Sequence, residues 1–107
     1  MGNPNQVWGK RLKEAREAIG LSQRELGIKA GIDPSVASTR INRYELGVHK
    51  ADYPTSQRLA AVLGVPVAYL YADDDELALL IKRFDKLTAT QRAEAIDALK
   101  QAPNRNK

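Results

Sequence analysis

Apolar residues recur every three or four positions along most of the chain. No stretch shows the convincing alternation of period two that a half-buried strand requires. Trp8, Leu12, Ala15 and Ile19 mark the inner face of a first helix, and Gly20 closes it. Residues 1–5, polar and containing Pro4, read as a frayed arm. Ser22-x-x-Glu25 is a capping box, in which the Ser side chain accepts the Glu25 backbone N–H and the Glu side chain reaches back. It opens a second helix to about Ala30, and Gly31 makes the tight turn. Asp33-Pro34 reads as the start of a third helix, because Asp caps free N–H groups and Pro tolerates the first position. Ala37, Ile41 and Tyr44 then form an apolar stripe, with Ser35, Ser38, Thr39, Asn42 and Arg43 outside, and Gly47 ends the helix.

The second half continues in the same period. Residues 48–54 read as a loop exposing His49 and Lys50, before a fourth helix from Thr55 or Ser56 that buries Leu59, Val62 and Leu63 and stops at Gly64. Pro66 opens a short fifth helix with Val67, Leu70 and Tyr71 on its apolar side. The acidic run Asp73–Glu76 suits a helix N-terminus, where the macrodipole is positive. Leu77, Leu80, Ile81, Phe84 and Leu87 make the next helix amphipathic. Thr88-x-x-Gln91 is a second capping box, opening a last helix with Ala95, Ile96 and Leu99 inward, and residues 101–107 form a polar tail expected to be disordered. The expected class is all-α: a five-helix bundle in residues 1–72 and a helical hairpin with its tail in residues 73–107.

Composition removes most alternatives. A chain of 107 residues is one domain with at most a small appendage, and its 43% hydrophobic content supports only a small core, which gains from burial against a partner subunit. Without cysteine there is no disulfide, thiolate metal site or cysteine nucleophile. His49 is the single histidine, so neither a metal centre nor a histidine-based triad is expected, and no glycine-rich phosphate loop is present. No cofactor and no enzymatic activity are expected. No long apolar run is present, so no membrane span or secretion signal is expected, and the cytoplasm is the expected compartment. The charge is uneven: residues 1–72 carry ten Lys/Arg against six Asp/Glu, whereas residues 73–107 carry seven of each. The basic excess lies in the first part of the chain, as is expected of a phosphate-binding surface.

An ordered set of residues resembles the phage-repressor/Cro type of helix-turn-helix regulator, the XRE family. The set is Arg16, Gly20-Leu21-Ser22-Gln23, Leu26, Ala30-Gly31, Ile41, Tyr44-Glu45, Gly47, Leu59-Ala60-x-x-Leu63-Gly64-Val65 and Tyr69-Leu70, covering about residues 7–72. The resemblance implies a five-helix bundle whose third helix enters the DNA major groove. It also implies that Arg16 and Glu45 pair to tie helix 1 to the end of helix 3. The chain departs from the pattern between Gly31 and Glu45, where it is about four residues longer, roughly one helical turn. Asp33-Pro34 assigns those residues to an extra N-terminal turn of helix 3; an expanded turn over residues 33–36 is the alternative.

The candidate DNA-binding residues are Gln23, Ser35, Ser38, Thr39, Arg40, Asn42, Arg43 and Lys50. Asn42 suits bidentate pairing with adenine and Arg43 with guanine, while Ser and Thr are permissive. Gln23, at a helix N-terminus, is placed to reach a phosphate, and Arg40 and Lys50 to clamp the backbone. The plain alternative is a solvated helix face for Ser38, Thr39, Asn42 and Arg43, capping for Gln23, and ordinary solvation for Arg40 and Lys50. Three functions fit: a repressor binding a two-fold operator as a homodimer, the DNA-binding antitoxin of a toxin–antitoxin module, or a protein-interaction module of the same fold. The partners expected are double-stranded DNA and a second copy, with residues 73–101 available to another protein.

Overall fold

The computed structural model describes residues 4–104, and the chain there forms seven helices: α1 (Pro4–Ala18), α2 (Gln23–Lys29), α3 (Ala37–Glu45), α4 (Tyr53–Leu63), α5 (Val67–Leu70), α6 (Asp75–Asp85) and α7 (Ala89–Gln101). The all-α expectation holds. Helices α1–α5 enclose a core in which Leu12, Leu26, Ile41, Leu59 and Leu70 are essentially inaccessible. Burying a side chain of this size stabilises by about 1.5–3 kcal/mol each. Trp8 meets Tyr44 edge-on, with ring centroids 5.7 Å apart, and so joins α1 to α3.

Two glycines let the backbones approach. A Cβ on Gly9 would lie 2.5 Å from the carbonyl oxygens of both Tyr44 and Glu45, and one on Gly27 would lie 2.8 Å from the Ala37 Cβ. Those contacts set α1 and α2 directly against α3. Both capping boxes form: Ser22 with Glu25 opens α2, and Thr88 with Gln91 opens α7. Gly20, Gly31, Gly47 and Gly64 all adopt positive φ and end helices or make turns where the sequence places them.

Several local expectations are corrected. Residues 1–3 lie outside the described residues, but Pro4 and Asn5 already belong to α1 rather than to a frayed arm, since proline is tolerated in a first turn. Ile19 is half exposed, because α1 stops at Ala18; Leu21, whose N–H bonds back to the Arg16 carbonyl, packs on the core instead. The largest correction concerns Asp33-Pro34. Residues 34–36 form a turn, and α3 begins only at Ala37. The Asp33 carboxylate accepts both the Ser35 N–H, at 2.8 Å, and the Ser35 hydroxyl, at 2.7 Å. That closed local arrangement competes with the helix. The extra residues are therefore an expanded turn.

α4 starts earlier than Thr55: Asp52 is its cap, accepting the Thr55 N–H at 2.9 Å, with Pro54 in the first turn. In α5 it is Tyr69 that is buried. Tyr71 falls just past this four-residue helix and is half exposed, its hydroxyl 3.1 Å from Ser56 Oγ. Gln101 closes α7, so the tail begins at Ala102, and residues 105–107 lie outside the described residues.

The α6–α7 hairpin is tied to the bundle mainly through Arg11. This arginine is buried, donates from Nε to the Ala72 carbonyl at 2.8 Å and pairs with Asp75 at 2.9 Å. Lys86 adds a bond to the Gly64 carbonyl at 3.0 Å. Within the hairpin only Ala78 is buried. Ile96 and Leu99, expected to face inward, are exposed, as are Leu77 and Leu80 of the amphipathic α6 stripe. Two helices cannot enclose a leucine stripe between themselves, and here they leave an apolar groove of about 740 Å³ lined by Pro66, Leu80, Ile81, Phe84, Ile96 and Leu99.

Candidate nucleic-acid interface

The candidate surface is built on α3. Its inner stripe of Ala37, Ile41 and Tyr44 is buried, which fixes the helix rotation. With 3.6 residues per turn, Thr39, Asn42 and Arg43 must then face away from the core, with Ser38 on one flank and Arg40 on the other. All five are exposed. Val36, the residue before the helix, supplies no side-chain cap.

The remaining candidates divide. Lys50 is exposed in the loop after α3, and among the described residues Arg40, Arg43 and Lys50 pair with no carboxylate. Ser35 sits in the turn, not on α3, and its hydroxyl is engaged by Asp33. Gln23 is not free as the sequence suggested. Its amide nitrogen donates to Asn42 Oδ1 at 3.1 Å and to Glu45 Oε1 at 2.9 Å, which ties the start of α2 to the outer face of α3.

Beneath this surface lies the expected Arg16–Glu45 pair. Arg16 Nε is 2.6 Å from Oε2 and Nη2 is 3.1 Å from Oε1, while Nη1 reaches the Leu21 carbonyl at 2.9 Å. The side chains are only 12% and 4% exposed, so this is a buried bidentate pair. The hydrogen bond to Glu45 raises the Arg16 pKa above its ordinary value, against the opposing effect of burial. An arginine side chain keeps its charge in proteins, so the pair is ionic.

Sequence reasoning missed Gly9, Gly27 and Arg11. The glycines carry no local signal, because what demands them is a neighbouring helix. Arg11 did carry one: it occupies the i+3 place of the stripe Trp8, Leu12, Ala15, so a charge was due to be buried there.

A helix-turn-helix family model matches residues 12–70, more than half of the chain. The crystal structure of the transcriptional regulator BswR is similar with a TM-score of 0.83 at 45% identity, covering 88% of this chain and 93% of that one. Residues 1–72 are only about two thirds of the chain, so the shared fold reaches into the hairpin. Uncharacterized HTH-type transcriptional regulators of Sinorhizobium medicae and Rhizobium meliloti are each 31% identical over 65 residues, which is 61% of this chain and 44% of theirs. The match thus spans less than half the length of these curated relatives. Helices α1–α5 and the exposed polar face of α3 define the class as a helix-turn-helix bundle. With the family match, the chain belongs to the XRE-type helix-turn-helix family of transcriptional regulators.

Proposed function

We propose that the protein is a sequence-specific DNA-binding transcriptional regulator that acts as a repressor, binding a two-fold operator as a homodimer with α3 in the major groove. The observation that carries this reading is the outer face of α3. Thr39, Asn42 and Arg43 are exposed on a helix whose rotation the core fixes, and among the described residues Arg40, Arg43 and Lys50 pair with no carboxylate. Ser38, Thr39, Asn42 and Arg43 are the base readers. Arg40 and Lys50 clamp phosphates, and Gln23 supports the reading face. Ser35 is left out of the base-reading set, because its hydroxyl is turned to Asp33. Repression is steric, by occupation of an operator that overlaps a promoter. Such a protein works where the DNA is, in the cytoplasm.

Residues 1–72 form the DNA-binding domain in this reading, and residues 73–107 the dimerisation element. The support for the second part is the open groove with exposed Leu80, Ile96 and Leu99. An apolar patch of that kind is covered in most proteins by an interface. A two-fold dimer would set two copies of α3 about one DNA turn apart, roughly 34–36 Å. Selection of bound DNA from a random pool, followed by sedimentation of the free protein and the complex, tests the whole reading. A two-fold site with a dimer on it is the expected result. No selected sequence would overturn the DNA reading. A monomer both free and bound would overturn the dimer, and would favour a different protein in the groove, as in an antitoxin.

A further inference from the structure

We propose that the cavity between the start of α1 and the loop after α3 is an oxyanion seat, in which the Trp8 indole N–H and the Lys50 ammonium together hold one phosphate-type group. The cavity holds about 240 Å³ and is lined by Asn5, Trp8, His49, Lys50, Ala51 and Tyr71. The seat does not require α3 to read bases. Its key atom is Trp8 Nε1. Trp8 is only 7% exposed, and its Nε1 is buried with no hydrogen-bond partner among the described residues. An indole N–H only donates, so nothing but an acceptor satisfies it. Leaving such a donor unpaired costs the fold, and native proteins do so rarely.

The ring is not free to turn toward an acceptor elsewhere. It stands edge-on to Tyr44, with centroids 5.7 Å apart, in the stretch where Gly9 brings α1 against the backbone of Tyr44 and Glu45. The donor is thus fixed before a ligand arrives, and a preorganised donor loses little entropy on binding. The loop side of the cavity is built differently. His49 and Lys50 are exposed and belong to no helix, so this side can open to admit a ligand and close over it without disturbing the core.

The lining also sets the charge of the ligand. It contains no carboxylate, and Lys50 has no ion pair among the described residues. The Tyr71 hydroxyl lies 3.1 Å from Ser56 Oγ and is engaged there. Lys50 then brings a cation, and Trp8 a fixed N–H donor, to one small space. A cationic ligand is repelled, and a neutral acceptor leaves the ammonium unmatched. A compact oxyanion serves both, with one oxygen for Trp8 and another for a charge-assisted bond to Lys50. Pockets for drug-sized ligands begin at about 300 Å³, so this cavity suits a group of phosphate size better than a larger effector. Two sources carry that chemistry: a phosphate of the DNA backbone, and a free phosphate ion or ester, which would compete with DNA for Lys50.

Trp8 is the sole tryptophan, so in isotope-labelled protein one indole N–H resonance reports on this donor alone. In the first arm inorganic phosphate is titrated at constant ionic strength against chloride. It should move that resonance downfield to saturation, chloride should not, and Lys50→Gln should weaken the binding roughly tenfold, the scale of one hydrogen bond to a charged group. Trp8→Phe keeps an aromatic ring and deletes the donor; by calorimetry it should lose phosphate affinity by a similar factor. Should that variant fail to fold, the parent and Lys50→Gln titrations decide without it. The second arm adds DNA selected by the protein from a random pool, with single phosphates replaced in turn by uncharged methylphosphonate. If the backbone fills the seat, the duplex moves the resonance and one replacement abolishes the move. A response in either arm that meets these controls supports the seat and identifies its source. A response that meets them in neither arm overturns it. If no DNA is selected, the reading of α3 falls, and the phosphate titration still decides the seat.

Discussion

The α1–α5 bundle and the α6–α7 hairpin are drawn from similar residues but finish differently. Of the buried apolar side chains among the described residues, all but Ala78 lie at or before Ala72. The bundle has five helices crossing around one centre, with glycines admitting close approach, so its apolar stripes find facing surfaces. The hairpin has two helices and a groove. Its ion pairs differ too: Arg16–Glu45 is buried, whereas Arg92–Asp85, at 3.6 Å, has side chains 43% and 37% exposed. The lesson is that an amphipathic pattern reports how a helix would bury itself, not whether its own chain supplies the cover.

The largest effect separating the two regions should come from those ion pairs. Arg16→Ala leaves Glu45 charged and buried, and should destabilise the fold by about 3–5 kcal/mol. Arg92→Ala should cost at most about 1 kcal/mol, because its pair is open to water. Thermal melts of both variants, with Glu45→Ala and the Arg16/Glu45 double variant to measure the coupling, decide it. Equal losses at the two sites would erase the contrast.

Next in size is the close approach of α1 to α3. Gly9→Ala places a Cβ against two backbone carbonyl oxygens that cannot swing aside, and should destabilise by about 1–3 kcal/mol. The natural control lies elsewhere in the bundle. Gly31 has open space around it, so an added Cβ there meets no neighbour and suffers only from its positive φ. Chemical denaturation of Gly9→Ala that matched the parent would show that α3 is not seated on α1.

How far each region was legible follows from where its signals lie. The caps of α2 and α7, the glycine stops and the Ala37–Ile41–Tyr44 stripe are encoded within a few residues, and the sequence reveals them. The Arg16–Glu45 pair is long-range and was available only through family resemblance. Asp33-Pro34 misled because the same two residues open a helix or close a turn; Ser35, offering both N–H and hydroxyl to Asp33, decides for the turn. Gly9, Gly27 and the Arg11 bond to Ala72 are properties of two surfaces meeting, and no local pattern states them. Of the candidate site, the outer face of α3 was legible from its period. The engagement of Gln23 was not, because it depends on how α2 lies against α3.

A smaller effect on stability, but a sharper test of the groove, is Leu80→Glu with Leu99→Glu. Both side chains are at least half exposed, so the melting of the isolated chain should change little. The proposed dimer should dissociate. Each neutralised phosphate adds about 0.9 to the slope of log affinity against log salt, so a monomer on one half-site should show roughly half the parent slope. An unchanged slope and an unchanged sedimentation coefficient would mean that the groove holds no second copy.

The smallest effect is on acid stability, and it probes the joint between the two regions. The Arg11 hydrogen bond holds the Asp75 carboxyl below its ordinary value of 3.8, with Lys10 adding to the effect. The Ser22 backbone N–H does the same for Glu25 below 4.5, and Thr55 for Asp52. A carboxyl whose folded pKa is lowered contributes stability that is complete above its unfolded value and is lost as pH falls through the folded one. Melting temperature should therefore be level near neutrality and decline once pH drops below about 4. Asp75→Asn removes one share of that decline and leaves those of Glu25 and Asp52, which belong to the bundle. Its melting curve should thus start slightly lower at neutral pH and approach the parent's as the solution is acidified. Parallel curves at every pH would mean that Asp75 does not hold α6 to Arg11, and that the hairpin is anchored by its other contacts, among them the Lys86 bond to the Gly64 carbonyl and the burial of Ala78.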